Sequence, residues 1–189
     1  MTNTIPAVLD QRSAVTNVLL VIGASAIIAI AAQIAITIPF TPVPLTLQPL
    51  AVVLVGIVLG ARRGAAAAVL YLLEGIAGLP VFAQGHGGAL WLLGPTAGYL
   101  YSYPFAAFVA GWFSQRGWGS SIVRALAGML IAMAVIYAGG WSWLAILAGP
   151  RAAFTMGIVP FVIADIVKIA IGAALLPYAE RLIQRSAGS

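Results

Sequence analysis

A chain of 189 residues that is 62% hydrophobic and only 7% charged, with a mean hydropathy of +1.08, carries more apolar surface than one water-soluble core can bury, so lipid is its solvent. The net charge of +5 rests on eight arginines that flank apolar segments and one lysine, Lys168, that lies inside one; this is a membrane pattern, with no basic stripe for nucleic acid. With no cysteine, disulfides, thiol catalysis and cysteine-ligated metals are excluded.

The chain reads as a single integral membrane domain over residues 1–189. Its N-terminal segment, about residues 1–15, is polar and lacks the apolar core and cleavage site of a removable signal peptide, so none is expected there. Six candidate spans follow between about residues 16 and 178, judged against the roughly 20 apolar residues of a transmembrane helix. The first, about Thr16 to Ile38, has small residues four apart at Ser25 and Ala29, and again at Ala31 and Ala35. That spacing lets another helix approach closely, either inside this chain or on a separate subunit. The connector Pro39-Phe-Thr-Pro-Val-Pro-Leu-Thr-Leu-Gln48-Pro49 places four prolines in eleven residues, which predicts stiff, non-helical backbone. Thr46 and Gln48 make it a candidate lid; the alternative is a plain spacer.

A short second span, Pro49 to Gly60, opens on a proline suited to a first helical turn. The turn Gly60-Ala-Arg62-Arg63-Gly64 leads to a third span, about Ala65 to Phe82, to complete a helical hairpin. Glu74 within it is expected to be protonated, paired with an arginine or close to an interface, in a structural role. The chain then breaks at Gly78-Leu-Pro-Val-Phe-Ala-Gln84-Gly85-His86-Gly-Gly88. Irregular backbone at membrane depth is tolerated where it is buried in protein or lines a cavity, and glycine permits close approach to a ligand. This is a second candidate lid, with Gln84 and Gly85 as candidate contacts; the alternative is a surface turn. His86 has no second histidine or cysteine to complete a metal site, so no metal is expected.

The fourth span runs from about Trp91 through Gly94-Pro-Thr-Ala-Gly98-Tyr99 to Phe113. Its cluster of Trp91, Tyr99, Tyr101 and Tyr103 reads either as an interfacial belt or as rings stacked over a ligand. Arg116 and Arg124 flank the next turn, and the fifth span, about Ile122 to Trp143, has no acid or lysine and reads as scaffold. A loop from Ala145 to Thr155 carries Pro150 and Arg151. The last span runs from Gly157 to about Leu176, and Glu180, Arg181 and Arg185 follow in a polar tail.

In a six-span drawing Arg12, Arg62, Arg63, Arg116, Arg124, Arg181 and Arg185 share one side and Arg151 alone takes the other. The positive-inside tendency makes the first side cytoplasmic, which puts both termini inside and turns both candidate lids outward. Asp165 then lies about 12 Å and Lys168 about 17 Å along the last helix from Gly157 at 1.5 Å per residue, near the middle of the bilayer core. Three residues apart, they share a helix face. Ionisable side chains at that depth are paired, functional or both, so the alternatives are a self-satisfied ion pair and a binding site for a small ligand that offers donors and acceptors. No His-Glu-x-x-His helix, Gly-x-Ser-x-Gly elbow, phosphate-binding loop or paired catalytic acids are present, so an enzyme is not expected.

Five segments in order, Pro42-Val-Pro-Leu-Thr46-Leu-Gln48, the Gly64 hairpin after Arg62-Arg63, Gly78-Leu-Pro-Val-Phe-Ala, Gly94-Pro-Thr-Ala-Gly-Tyr99, and Pro160-Phe161 with Asp165-x-x-Lys168, resemble the BioY family over about residues 15 to 180. These are the biotin-specific substrate-binding (S) components of energy-coupling-factor (ECF) vitamin transporters. The resemblance implies an all-α protein of six transmembrane helices in the cytoplasmic membrane, and a biotin pocket beneath the first and third loops. It further implies a transmembrane coupling (T) subunit and two cytoplasmic ATPase subunits as partners, with ATP used there and no cofactor in this chain. Asp165 and Lys168 fall on the family's polar pair and are expected to bond the ureido ring of biotin, with Gln84, Gly85, Thr46, Gln48, Trp91 and Tyr99 as further ligand contacts. Ser25 and Ala29 are expected to dock to the coupling subunit. A stand-alone biotin carrier or receptor, or an S component for another small vitamin, stays open as the alternative.

Overall fold

The structure, a computed structural model, describes Pro6 and residues 13–187; of the side chains after Leu176 it describes that of Tyr178 alone. Arg12 and the side chains of Glu180, Arg181 and Arg185 lie outside the described residues. The apolar segments fold as helices: α1 (Ala14–Gln33), α2 (Gln48–Leu59), α3 (Ala61–Ile76), α4 (Ala97–Gln115), α5 (Ile122–Ala148), α6 (Pro150–Gly157) and α7 (Val159–Ala187). Among them α1, α5 and the Val159–Leu176 part of α7 are long and apolar enough to cross a membrane.

The ends of the helices differ from the sequence expectation, each for a local reason. The first helix stops at Gln33, so Ala35 belongs to a short antiparallel ribbon in which β1 (Ala35–Ile36) pairs with β2 (Leu45–Thr46), Ala35 opposite Thr46. The proline-rich connector is thus tied at its base. The third helix ends at Ile76, six residues before the expected Phe82, because Gly78 turns the chain at φ +96°. Trp91 lies in a 3-10 turn, Ala89–Leu93, and α4 begins only at Ala97, after Pro95. The expected loop from Ala145 to Thr155 is helical on both sides of one hinge residue: α5 runs to Ala148, Gly149 breaks it at φ +85°, and Pro150 opens α6 from its first turn.

At the centre, α4 packs against α2, α3 and α5. The α2–α4 approach is close enough that a Cβ at Gly56 would fall on the backbone of Ala107, and α3 comes as near to α2, where a Cβ at Gly64 would lie 2.7 Å from the Gly56 Cα. Small residues let these helices meet backbone to backbone, as membrane helices do when van der Waals contact drives association. Ser114 fastens the same contact by donating to the Ile57 carbonyl at 2.8 Å. The core around this contact includes Val52, Val53, Tyr71, Ala106, Ala107, Met129 and Ile136, with α7 added through Phe161, Ile169 and Ala173.

Backbone cannot yield as a flexible side chain does, so Gly56→Ala is expected to lose about 1–3 kcal/mol of stability by overpacking. Gly23→Ala on α1, where a Cβ meets nothing within 4 Å, is the matched control and should be neutral or slightly stabilising. Thermal unfolding of the detergent-purified pair measures the difference.

Candidate functional site

A cavity opens beneath the connector and is walled by α4, α5 and α7. It holds about 570 Å³ of unfilled space, counting its mouth. Its walls are apolar at Val43, Leu100, Met133, Ile136 and Phe161, and ring-lined at Trp91, Tyr99, Tyr103 and Tyr137. Thr46, Gln48 and Asp165 supply the main polar groups. A mostly apolar hollow with few convergent polar groups is the usual form of a small-molecule site.

Asp165 projects from α7 and is 4% exposed. The Tyr137 hydroxyl, from α5, donates to its Oδ2 at 2.6 Å. The Lys168 ammonium pairs with Oδ1 at 2.6 Å. Each oxygen of the buried carboxylate thus has a partner, and Asp165 stands in the cavity wall. Lys168 spends its own donor on the Thr46 carbonyl at 2.9 Å, which ties α7 to the connector.

The chain of bonds continues from there. The Thr46 hydroxyl donates to Gln48 Oε1 at 3.3 Å and accepts from the Gln48 N–H at 3.2 Å. Gln48 Nε2 donates to the Tyr71 hydroxyl at 2.6 Å, and Tyr71 donates in turn to the Val81 carbonyl at 3.1 Å. Tyr71 is fully buried, with its ring edge-on to Phe82 at 5.6 Å. Both candidate lids are thus joined through one phenol. Such a buried polar chain is favourable only while every member is satisfied.

The glycine-rich segment is held from the other side by α1. Gln33 accepts from the Gly85 N–H at 2.9 Å and donates to the Phe82 carbonyl at 3.1 Å. His86 Nδ1–H donates to the Ala83 carbonyl at 2.8 Å, and its ring stacks on Trp91 with centroids 4.0 Å apart. Tyr99 donates to the Gly157 carbonyl at 2.6 Å, which fixes the junction before α7.

Thr46, Gln48, Trp91, Tyr99 and Asp165 therefore converge on one cavity, while Lys168 stands behind Asp165 and is not part of the wall. Gln84 and Gly85 are exposed and do not line it. Gln84 has φ +61°, a left-handed turn conformation that points its side chain out of the segment's path. Ser25 is 1% exposed and donates to Glu74 Oε1 at 3.0 Å, so it packs against α3. Ala29 is half-buried and packs against the core. The Ser25 hydroxyl gives Glu74 a hydrogen-bond partner within the chain. The fifth span is more than scaffold, because it delivers Tyr137 to Asp165. Tyr71, Tyr137 and Gln33 escape sequence reading; their only signal is a hydroxyl or amide in an otherwise apolar span.

Polar groups converging inside a helical membrane assembly define a membrane protein that holds a small polar solute. The family model for the BioY family matches residues 2–185. The chain is 43% identical over 157 residues to a probable biotin transporter of Pyrococcus horikoshii, covering 83% of this chain and 90% of that one. It is 39% identical over 168 residues to a biotin transporter of Rhizobium etli, covering 84% and 89% respectively. Its fold matches the crystal structure of the S-component for biotin from an ECF-type ABC transporter, with TM-score 0.79, 25% identity, and coverage of 88% of this chain and 92% of that one. The chain belongs to the BioY family, and it is an integral membrane protein of a transport family, not an enzyme.

Removing the Tyr71 hydroxyl leaves the buried Gln48 amide without an acceptor, so Tyr71→Phe is expected to cost about 1–3 kcal/mol. Hydrogen exchange should show the Val81–Gly85 backbone opening more readily in that variant, with the α4 core unchanged.

Proposed function

We propose that this protein captures biotin from outside the cell and serves its uptake as the substrate-binding subunit of an ECF-type transporter. The observation that carries the reading is the buried Asp165 carboxylate, held by Lys168 and Tyr137 in the wall of a mostly apolar cavity. Biotin carries a ureido ring, with two N–H donors and a carbonyl, fused to an apolar thioether ring. A ureido N–H donates to the Asp165 carboxylate, while Leu100, Met133, Ile136 and Phe161 receive the apolar part. Lys168 pairs with the carboxylate and, with its side chain 15% exposed, serves the same ring as a donor. Thr46, Gln48, Trp91 and Tyr99 complete the contacts, and Gln84 with Gly85 reaches the ligand once the glycine-rich segment closes over the mouth. A solute lacking the ureido group forgoes the hydrogen bond to the carboxylate, which is the basis of selectivity.

The topology that suits this capture has six spans in one membrane domain of the cytoplasmic membrane. Both termini are cytoplasmic, and the connector and glycine-rich segment face outward. The arginine distribution supports it: Arg62, Arg63, Arg116 and Arg124 share one side of the bilayer and Arg151 takes the other. The sequence has no phosphate-binding loop, so energy enters through partners: a transmembrane coupling subunit and two cytoplasmic ATPase subunits.

Titration of purified protein with biotin tests the site. Asp165→Asn and Lys168→Met should each weaken binding by about 1.5–3 kcal/mol, and unchanged affinity in both removes them from it. Uptake in cells with and without the coupling subunit tests the partnership: transport should fall away in its absence, and undiminished uptake would assign the chain to a stand-alone carrier. Labelling of an N-terminal tag from outside intact cells should fail; a labelled tag overturns the orientation.

A further inference from the structure

Asp165 has two directions open to it. Together with Met133 and Tyr137 it lines the central cavity, and the same three residues line a second hollow on the outer face where α5 meets α7. That outer hollow is otherwise apolar, formed by Leu130, Ala134, Val162, Ile166 and Ile169, with Leu130 and Ile166 strongly exposed. The carboxylate thus forms part of the partition between a polar-lined cavity and a membrane-facing groove. Lys168 holds Oδ1 at 2.6 Å from the same helix. Among the described residues, the one group from another element that hydrogen-bonds the carboxylate is the Tyr137 hydroxyl, at 2.6 Å from Oδ2.

We propose that Tyr137 is a positioning residue for ligand binding: by holding Oδ2 while Lys168 pairs with Oδ1, it fixes the plane of the carboxylate in the cavity wall. This rests on the reading of Asp165 as the acceptor of a biotin ureido N–H. Without the hydroxyl, Lys168 is the remaining strong partner, the carboxylate plane is free to turn about that pair, and the acceptor loses its alignment with the ligand. Phenol and carboxylate form a charge-assisted bond, short and directional, which suits one side chain to set the orientation of another. The Tyr137 ring itself stays as wall, so its contribution separates into a packing part that phenylalanine keeps and an orienting part that it loses.

Biotin affinity of the purified full-length protein, measured for wild type, Tyr137→Phe, Asp165→Asn and the double variant, tests this. If the hydroxyl acts through Asp165, Tyr137→Phe weakens binding roughly ten- to hundredfold in the wild-type background and by less than about twofold in the Asp165→Asn background. Unliganded Tyr137→Phe should melt lower than the wild type, as Tyr71→Phe should, so the deciding readout is the difference in affinity loss between the two backgrounds. Independent, multiplying losses overturn the proposal, as does unchanged affinity with a lowered melting temperature, which assigns the hydroxyl to helix packing. A Tyr137→Phe protein that does not fold overturns it likewise. Asp165→Asn that binds as tightly as wild type overturns the underlying site reading as well, whereas weakened Asp165→Asn beside unaffected Tyr137→Phe overturns this proposal alone.

Discussion

A carboxylate and an ammonium three residues apart on an apolar helix set the constraint that the rest of the site answers. Taking both from water is costly, and their mutual attraction offsets that cost only when further hydrogen bonds complete each group. Asp165 finds a phenol on α5, and Lys168 finds a carbonyl on the connector. The second choice is informative. Helix carbonyls in the surrounding spans are committed to their own ladders, whereas a two-residue ribbon leaves main-chain acceptors on its outer edge. The connector has to be non-helical for Lys168 to have a neutral, fixed acceptor at that depth. Its prolines, which cannot continue a helix, therefore serve the ion pair as well as the cavity mouth.

The two segments over the cavity differ in how they are held. The connector is braced from below by Lys168 and at its base by the pairing of Ala35 with Thr46. The glycine-rich segment hangs from Gln33 on one side and Tyr71 on the other. Tyr71 touches both systems without lining the cavity, so a disturbance of Gln48 by a ligand reaches the Val81 carbonyl through a single hydroxyl. Coupling of this kind needs no contact between the ligand and the segment that responds.

Much of this was legible in the sequence because composition and punctuation are local. Pro42, Pro44 and Gly78 announce where helices cannot continue, and Asp165 with Lys168 stands out against an apolar background. What the sequence hides is direction across the fold. The Ser25–Ala29 spacing says that something approaches closely, but only Glu74, 49 residues on, shows that α3 is the neighbour of Ser25. Tyr137 looks like any interfacial aromatic until α7 is placed beside it, 28 residues away. Gln84 looks like a polar side chain in a lid, and its positive φ, invisible in composition, turns it outward.

The clasp made by Gln33 has a mechanical side. Only 22% of the α1 span is buried within the protein, against 33% for the spans on α5 and α7, so much of α1 faces outward from the fold. Yet its last residue grips the backbone at Phe82 and Gly85. A helix that meets lipid along much of its length and is fastened by its tip to the glycine-rich segment joins the cavity cover to the membrane-facing side of the protein, by a route separate from the ion pair.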